Sequence, residues 1–135
     1  IKKSSNVSKK ILMRAAVLGA CGVMIGTFGA HGLKPLLEKY GRLDTFETAV
    51  KYHFYHTLVL FALALVHEKF KLKSVKLIFW LYLAGILIFS GSLYVLCLTN
   101  EPVLGAVTPI GGVFLIVAWL MLFWNIRNIE TKNQR

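Results

Sequence analysis

Long apolar runs separated by short charged stretches fill the chain. Four of these runs are of spanning length: about Ile11 to Leu33, Thr48 to Val66, Leu77 to Leu98 and Pro109 to Ile126. A bilayer core about 30 Å thick takes about 20 mostly apolar residues per helix. Backbone groups in lipid must bond internally, so long unbroken runs read as helices rather than strands. The pattern predicts an all-α fold, an integral membrane four-helix bundle, as one membrane domain over residues 1–135. In the first loop Leu36, Leu37, Tyr40 and Leu43 recur at helical spacing with charges between them, which predicts a short helix on the membrane surface. Asp44-Thr45-Phe46-Glu47 has the form of a capping box opening the second helix. Glu47 and Lys51 follow at i, i+4 in the favourable order. Thr108 is expected to cap the fourth helix, with Pro109 at its first position. A start near Val103 would instead place Pro109 inside the helix and kink it.

Composition supports the membrane reading. Of 135 residues, 56% are hydrophobic and 16% charged, and the mean hydropathy is +0.63. An ordinary domain carries about 25% charged residues. Disorder is excluded, because disordered chains lack apolar residues. The formal charge is +10. It falls between apolar runs rather than along one stretch, so no nucleic-acid partner is expected.

The placement of charge sets the orientation. Lys2, Lys3, Lys9 and Lys10 precede span one. Lys69, Lys71, Lys73 and Lys76 join spans two and three, and Arg127, Lys132 and Arg135 follow span four. These eleven fall on one side, against Lys34, Lys39, Arg42 and Lys51 on the other. Basic loops stay inside, so both ends of the chain are expected in the cytoplasm, or in the matrix of a mitochondrion. Trp80 and Trp124 then fall near the inner interface, and Tyr52 and Tyr94 near the outer one, where amphipathic rings favour the headgroup level. Packing is the plainer role for any one ring. Span one with its basic tail resembles a signal peptide, but its apolar stretch exceeds an h-region of 7–15 residues. The chain opens on Ile1 rather than Met, so a few residues are expected to be missing or removed before it.

Within the spans, small and polar residues are the candidates for chemistry. Gly19, Gly22, Gly26 and Gly29 share one face of span one, and Gly111 and Gly112 open span four. Close backbone approach drives helix association in lipid, so a packing role is expected, with a lipid or ligand groove as the alternative. Thr27, His31, His53, His56, Ser90, Ser92 and Thr108 all fall in the outer half. Intramembrane ionisable groups mark functional sites by default. Three imidazoles at one level could bind metal, ligate haem (His31 with His53 or His56) or relay protons. They could equally bond to neighbouring carbonyls, and the hydroxyls could form a seam that fixes the bundle. No HExxH or CxxC is present, and no resident metal or cofactor is expected. Cys21 and Cys97 differ in depth by roughly 15 Å at ~1.5 Å per residue. Free thiols are therefore expected. Arg14 lies a turn beyond Lys10 and is expected to snorkel to the inner headgroups, with a buried ion pair as the alternative.

Four ordered motifs carry a family resemblance. They are Thr27-Phe28-Gly29-Ala30-His31-Gly32-Leu33, Thr48-Ala49-Val50-Lys51-Tyr52-His53-Phe54-Tyr55-His56, Ala84-Gly85-Ile86-Leu87 with Phe89-Ser90-Gly91-Ser92-Leu93-Tyr94, and Thr108-Pro109-Ile110-Gly111-Gly112. Together they resemble the domain-of-unknown-function 423 family of small bacterial membrane proteins, to which eukaryotic transmembrane protein 256 is similar. The resemblance implies a four-helix inner-membrane protein and no activity. The expectation is a non-enzymatic accessory or scaffold subunit in a bacterial inner membrane, with a mitochondrial one as the alternative. Its partners would be the lipid bilayer and either a second copy or a larger membrane complex, met through the glycine face of span one. The alternatives are a small-solute transporter or channel with an outer His/Ser/Thr vestibule, and a haem or metal protein. No acidic residue lies inside a span, which weakens the case for proton coupling.

Overall fold

The computed structural model describes residues 3–130, with side chains from Asn6 onward. Lys2, Lys132, Arg135 and the side chain of Lys3 lie outside the described residues. Among the described residues all regular structure is helical. Four helices are long and apolar enough to cross a membrane: α1 (Lys3–Ala30), α3 (Leu43–Phe70), α4 (Val75–Thr99) and α5 (Leu104–Arg127). The short α2 (Lys34–Tyr40) lies in the first loop, as its leucine spacing predicts.

The long helices pack in chain order, α1 on α3, α3 on α4 and α4 on α5. The two middle helices are the more buried, and α1 and α5 flank them with Val17, Met24, Ile116 and Leu120 exposed. In a bilayer such positions face acyl chains. Cross-links between helix ends fix the up-and-down arrangement. Ser74 at the start of α4 donates its N–H to Asn125 Oδ1 near the end of α5 at 3.0 Å. At the opposite end Arg42 Nε donates to Asn100 Oδ1 at 3.0 Å. The start of α1, the α3–α4 loop and the end of α5 therefore share one end of the bundle. That end carries Lys9, Lys10, Lys69, Lys71, Lys73, Lys76 and Arg127 beside Glu68 and Glu130, and the other carries Lys34, Lys39, Arg42 and Lys51 beside Glu38, Asp44, Glu47 and Glu101.

Two helix starts differ from the sequence expectation. Asp44 does not cap α3. The helix begins at Leu43 with Arg42 as its capping residue and no side-chain cap, and Thr48 Oγ1 donates back to the Asp44 carbonyl. Leu43 packs beside buried Leu37 and Phe46, which draws it into the helix. Asp44 still sits in the first turn, where a negative charge suits the helix dipole. Likewise α5 begins at Leu104, so Thr108 is not its cap and Pro109 lies inside the helix. Pro102 opens a tight turn whose bonds, Leu104 N–H to Glu101 and Gly105 N–H to Pro102, start α5 about a turn early. The ring of Pro109 then forfeits the bond to the Gly105 carbonyl.

Helix α2 is anchored from below. Pro35 falls in its first turn and Gly41 ends it at φ 65°, a left-handed cap natural to glycine. Leu37, 1% exposed, clusters with Phe46 and Cys97.

Candidate functional site

Histidines 53 and 56 are three residues apart on α3, and both are buried. His53 Nε2 lies 2.7 Å from the Leu18 carbonyl of α1, and Nδ1 lies 2.9 Å from the Tyr94 hydroxyl of α4. A carbonyl only accepts, so Nε2 carries the proton and Nδ1 accepts from Tyr94. His56 has the opposite tautomer. Its Nδ1–H donates to the Tyr52 carbonyl one turn back at 2.8 Å, and its Nε2 accepts from Trp119 Nε1–H of α5 at 3.1 Å. One imidazole thus ties α3 to α1 and α4, and the other ties it to α5. Tyr52 stacks on His56 at 5.9 Å, and Trp119 meets the ring edge-on at 6.1 Å.

The hydroxyls extend this seam. Ser90 Oγ donates to the Ala49 carbonyl of α3 at 2.8 Å. Ser92 Oγ and Thr108 Oγ1 share a 2.6 Å bond between α4 and α5. The hydroxyl that accepts in this pair can donate to a carbonyl of its own helix, Phe89 for Ser92 or Leu104 for Thr108. Thr57 Oγ1 back-bonds to the His53 carbonyl. In lipid an interhelical hydrogen bond contributes about 0.6 kcal/mol on average and up to about 1.7.

Five of the seven polar candidates therefore bond across helices, at separate points along the bundle: His53, His56, Ser90, Ser92 and Thr108. Thr27 and His31 do not. Both are exposed, Thr27 in the last turn of α1 and His31 in the turn just after it, and the α1 face that meets α3 is the one bearing the glycines. The expected vestibule is replaced by direct protein–protein hydrogen bonds. A bis-histidine site has no free lone pair to offer, since both nitrogens of His53 and of His56 are engaged. Among the described residues no three His, Cys, Asp or Glu side chains come together as a metal site.

Every glycine singled out in the sequence has a location in the packing. A Cβ on Gly22 would stand 2.8 Å from the Phe54 ring, and one on Gly29 would overlap Phe46. Gly19 faces Thr57 at 3.8 Å and Gly26 faces Val50 at 3.6 Å. The glycine face of α1 is therefore covered by α3 of the same chain, which corrects its expected role as a contact between molecules. The bare backbone at Gly22 also leaves the Leu18 carbonyl, one turn earlier, open to His53. Gly111 lies against the backbone of Phe89, and Gly112 faces the Phe89 ring at 3.8 Å.

Three participants escape a sequence reading. Tyr94, expected near the outer interface, is also the donor to His53. Trp119 lies mid-span, away from the interfacial levels where tryptophan concentrates, and that displacement is the signal of a buried partner. Gly85, against Leu115, has no spacing that marks it out. Cys21 and Cys97 are free thiols, and Cys97 Sγ points to the Arg42 carbonyl at 3.8 Å.

The model of the protein family of unknown function DUF423 matches residues 25–112, which carry most of the seam. The chain belongs to the DUF423 family. The DUF423 chain is 43% identical over 116 residues to the UPF0382 membrane protein YwdK of Bacillus subtilis, covering 84% of this chain and 93% of the relative. It is 46% identical over 111 residues to a UPF0382 membrane protein of Staphylococcus saprophyticus, covering 78% and 90%. A UPF0382 membrane protein of Haemophilus influenzae is 36% identical over 116 residues, covering 86% and 92%. No solved structure matches the chain. With four apolar helices and relatives named membrane proteins, this DUF423 member is a small membrane protein whose family has no known activity.

Proposed function

We propose that this protein is a non-enzymatic accessory or scaffold subunit of the bacterial inner membrane, packing in lipid against a second copy or a larger complex. The observation that carries the reading is the engagement of five of the polar groups that were the candidates for chemistry. His53, His56, Ser90, Ser92 and Thr108 all bond to protein atoms and hold the four spans to one another. No reactive side chain in that set is left free to meet a substrate. The chain outside the spans is short, and the lipid-facing sides of α1 and α5 provide the remaining surface at membrane depth. With the glycine face covered by α3, those outer sides are where contact is expected.

Cysteine cross-linking in native membranes tests this. Cys21 and Cys97 are first replaced by Ala, and single cysteines are placed by Val17→Cys on α1 or Leu120→Cys on α5. Both positions are exposed, at 63% and 62%. Cross-links of defined mass, to a second copy or to one other membrane protein, are expected from at least one position. Monomer alone at both positions, at native expression, overturns the proposal.

A further inference from the structure

The lysine-rich end holds a cavity that the seam does not use. It lies between the first turns of α1 and α4 and has a volume of about 220 Å³. Its floor is buried: Ile11 is 2% exposed and Phe79 1%. Its rim carries three cations, Lys10, Arg14 and Lys76, and Trp80 closes one side. Among the described residues no carboxylate pairs with any of the three, and the ion pair present there, Lys71 with Glu68, lies elsewhere. None of the three donates a side-chain hydrogen bond to another described residue.

Arg14 is held in place without being neutralised. Its guanidinium lies 5.1 Å from the centre of the Phe79 ring and 5.3 Å from that of Trp80. Contacts with ring faces orient a guanidinium while leaving its N–H donors free for an anion. Arg14 enters α1 one turn beyond Lys10, about 6 Å deeper at 1.5 Å per residue. That depth lies just inside the headgroup layer, the level that Trp80 favours. A charge there is expensive unless it meets an opposite charge or snorkels to water. The cavity therefore has an arginine fork and two ammonium groups on its rim and an apolar wall open to lipid.

We propose that this cavity binds the phosphate of an anionic phospholipid headgroup in the leaflet at the lysine-rich end. Arg14 grips the phosphate oxygens, Lys10 and Lys76 add charge, and Trp80 lies along the glycerol and the first acyl carbons. The size admits a phosphate and its glycerol linker, with the acyl chains left in the bilayer. Basic clefts between spans on this side of a membrane suit acidic headgroups. The site is independent of the scaffold reading.

Lipid retention tests it. The full chain is reconstituted in nanodiscs of equal parts phosphatidylglycerol and phosphatidylcholine, released into mild detergent and weighed by native mass spectrometry. Phosphatidylglycerol is expected to remain bound in preference to phosphatidylcholine. Replacing two cations of the cavity, Arg14→Gln with Lys76→Gln, is expected to weaken retention about tenfold or more. Removing the same charge nearby, Lys69→Gln with Lys73→Gln, is expected to leave it unchanged. Lys76→Glu alone acts on an exposed rim residue and covers the case in which the double variant fails to fold; it is expected to lower retention as well. Equal retention of the two lipids, or equal loss in the two double variants, overturns the proposal. So does retention of inorganic phosphate in lipid-free protein together with its displacement of the lipid, which would assign the site to a soluble anion.

Discussion

At the end of the bundle holding α2, polar side chains lie inside and bond across helices. At the lysine-rich end the interior is mostly apolar, with Leu60, Leu63, Ile78, Phe79, Leu115 and Ala118; buried Ser8, His67 and Tyr82 make no bond across helices there, and the lysines and arginines lie on the rim. The first region is joined by directional bonds whose partners must arrive at fixed distances. The second is joined by shape, with its cations left unpaired at the headgroup level. Helix association in lipid lacks the hydrophobic drive available in water, so close packing and interhelical hydrogen bonds must hold the spans together. This protein uses the two in different proportions at its two ends. Polar atoms in the seam region therefore report on structure, whereas those at the lysine-rich rim are free to meet a ligand.

The sharpest way to break the comparison is to block a backbone approach in the seam. Gly111 lies on the Phe89 backbone, which cannot rotate away as a side chain could. Gly111→Leu is expected to destabilise the protein by about 3 kcal/mol or more through overpacking, separating α5 from α4. Denaturation in mixed micelles should show the loss, and release of Trp119 from His56 should appear in its fluorescence. A variant as stable as the parent would mean that α4 and α5 do not meet there.

The spans and α2 were legible because hydropathy over about 20 residues and leucine spacing are local properties. The helix starts were less so. Asp44-Thr45-Phe46-Glu47 satisfies a local capping pattern, but burial of Leu43 beside Phe46 overrides it. Thr108-Pro109 has the form of a helix start, but the turn at Pro102 begins α5 earlier. The seam was half legible. Position along the span put His53, His56, Ser90, Ser92 and Thr108 in the outer half, but it fixes neither exact depth nor rotation about the helix axis. His31 lies nine residues beyond Gly22, which faces Phe54 beside His53, or about 13 Å away along α1 at ~1.5 Å per residue, and the glycines also turn it outward. Tyr94 and Trp119 were hidden for the same reason, since their role depends on which ring nitrogen faces them.

A smaller effect isolates one bond of the seam. His53→Phe removes the bond to the Leu18 carbonyl, which keeps its own helical partner, and strands the Tyr94 hydroxyl. The expected loss is about 1–2 kcal/mol. Adding Tyr94→Phe removes the stranded group, so the double variant should lose less than the sum of the two singles. A double-mutant cycle is expected to give a coupling of about 0.6 to 1.7 kcal/mol. A coupling of zero would show that the two side chains do not meet in the membrane.

The smallest effect is the most discriminating. Thr27→Val and His31→Gln alter exposed side chains at the end of α1 and in the turn after it. Surface substitutions usually stay within about 0.5 kcal/mol. Each variant is therefore expected to match the parent in denaturation, and the pair with His53→Phe is expected to be additive. Additivity is the informative measurement, because residues without shared partners add and members of one network do not. If His31 and His53 faced a common ligand, losing either would weaken the other, and the double variant would depart from the sum. Such a departure would join the outer rim to the seam and return the three histidines to a single site, whereas strict additivity confines the seam to the five residues whose bonds cross between helices.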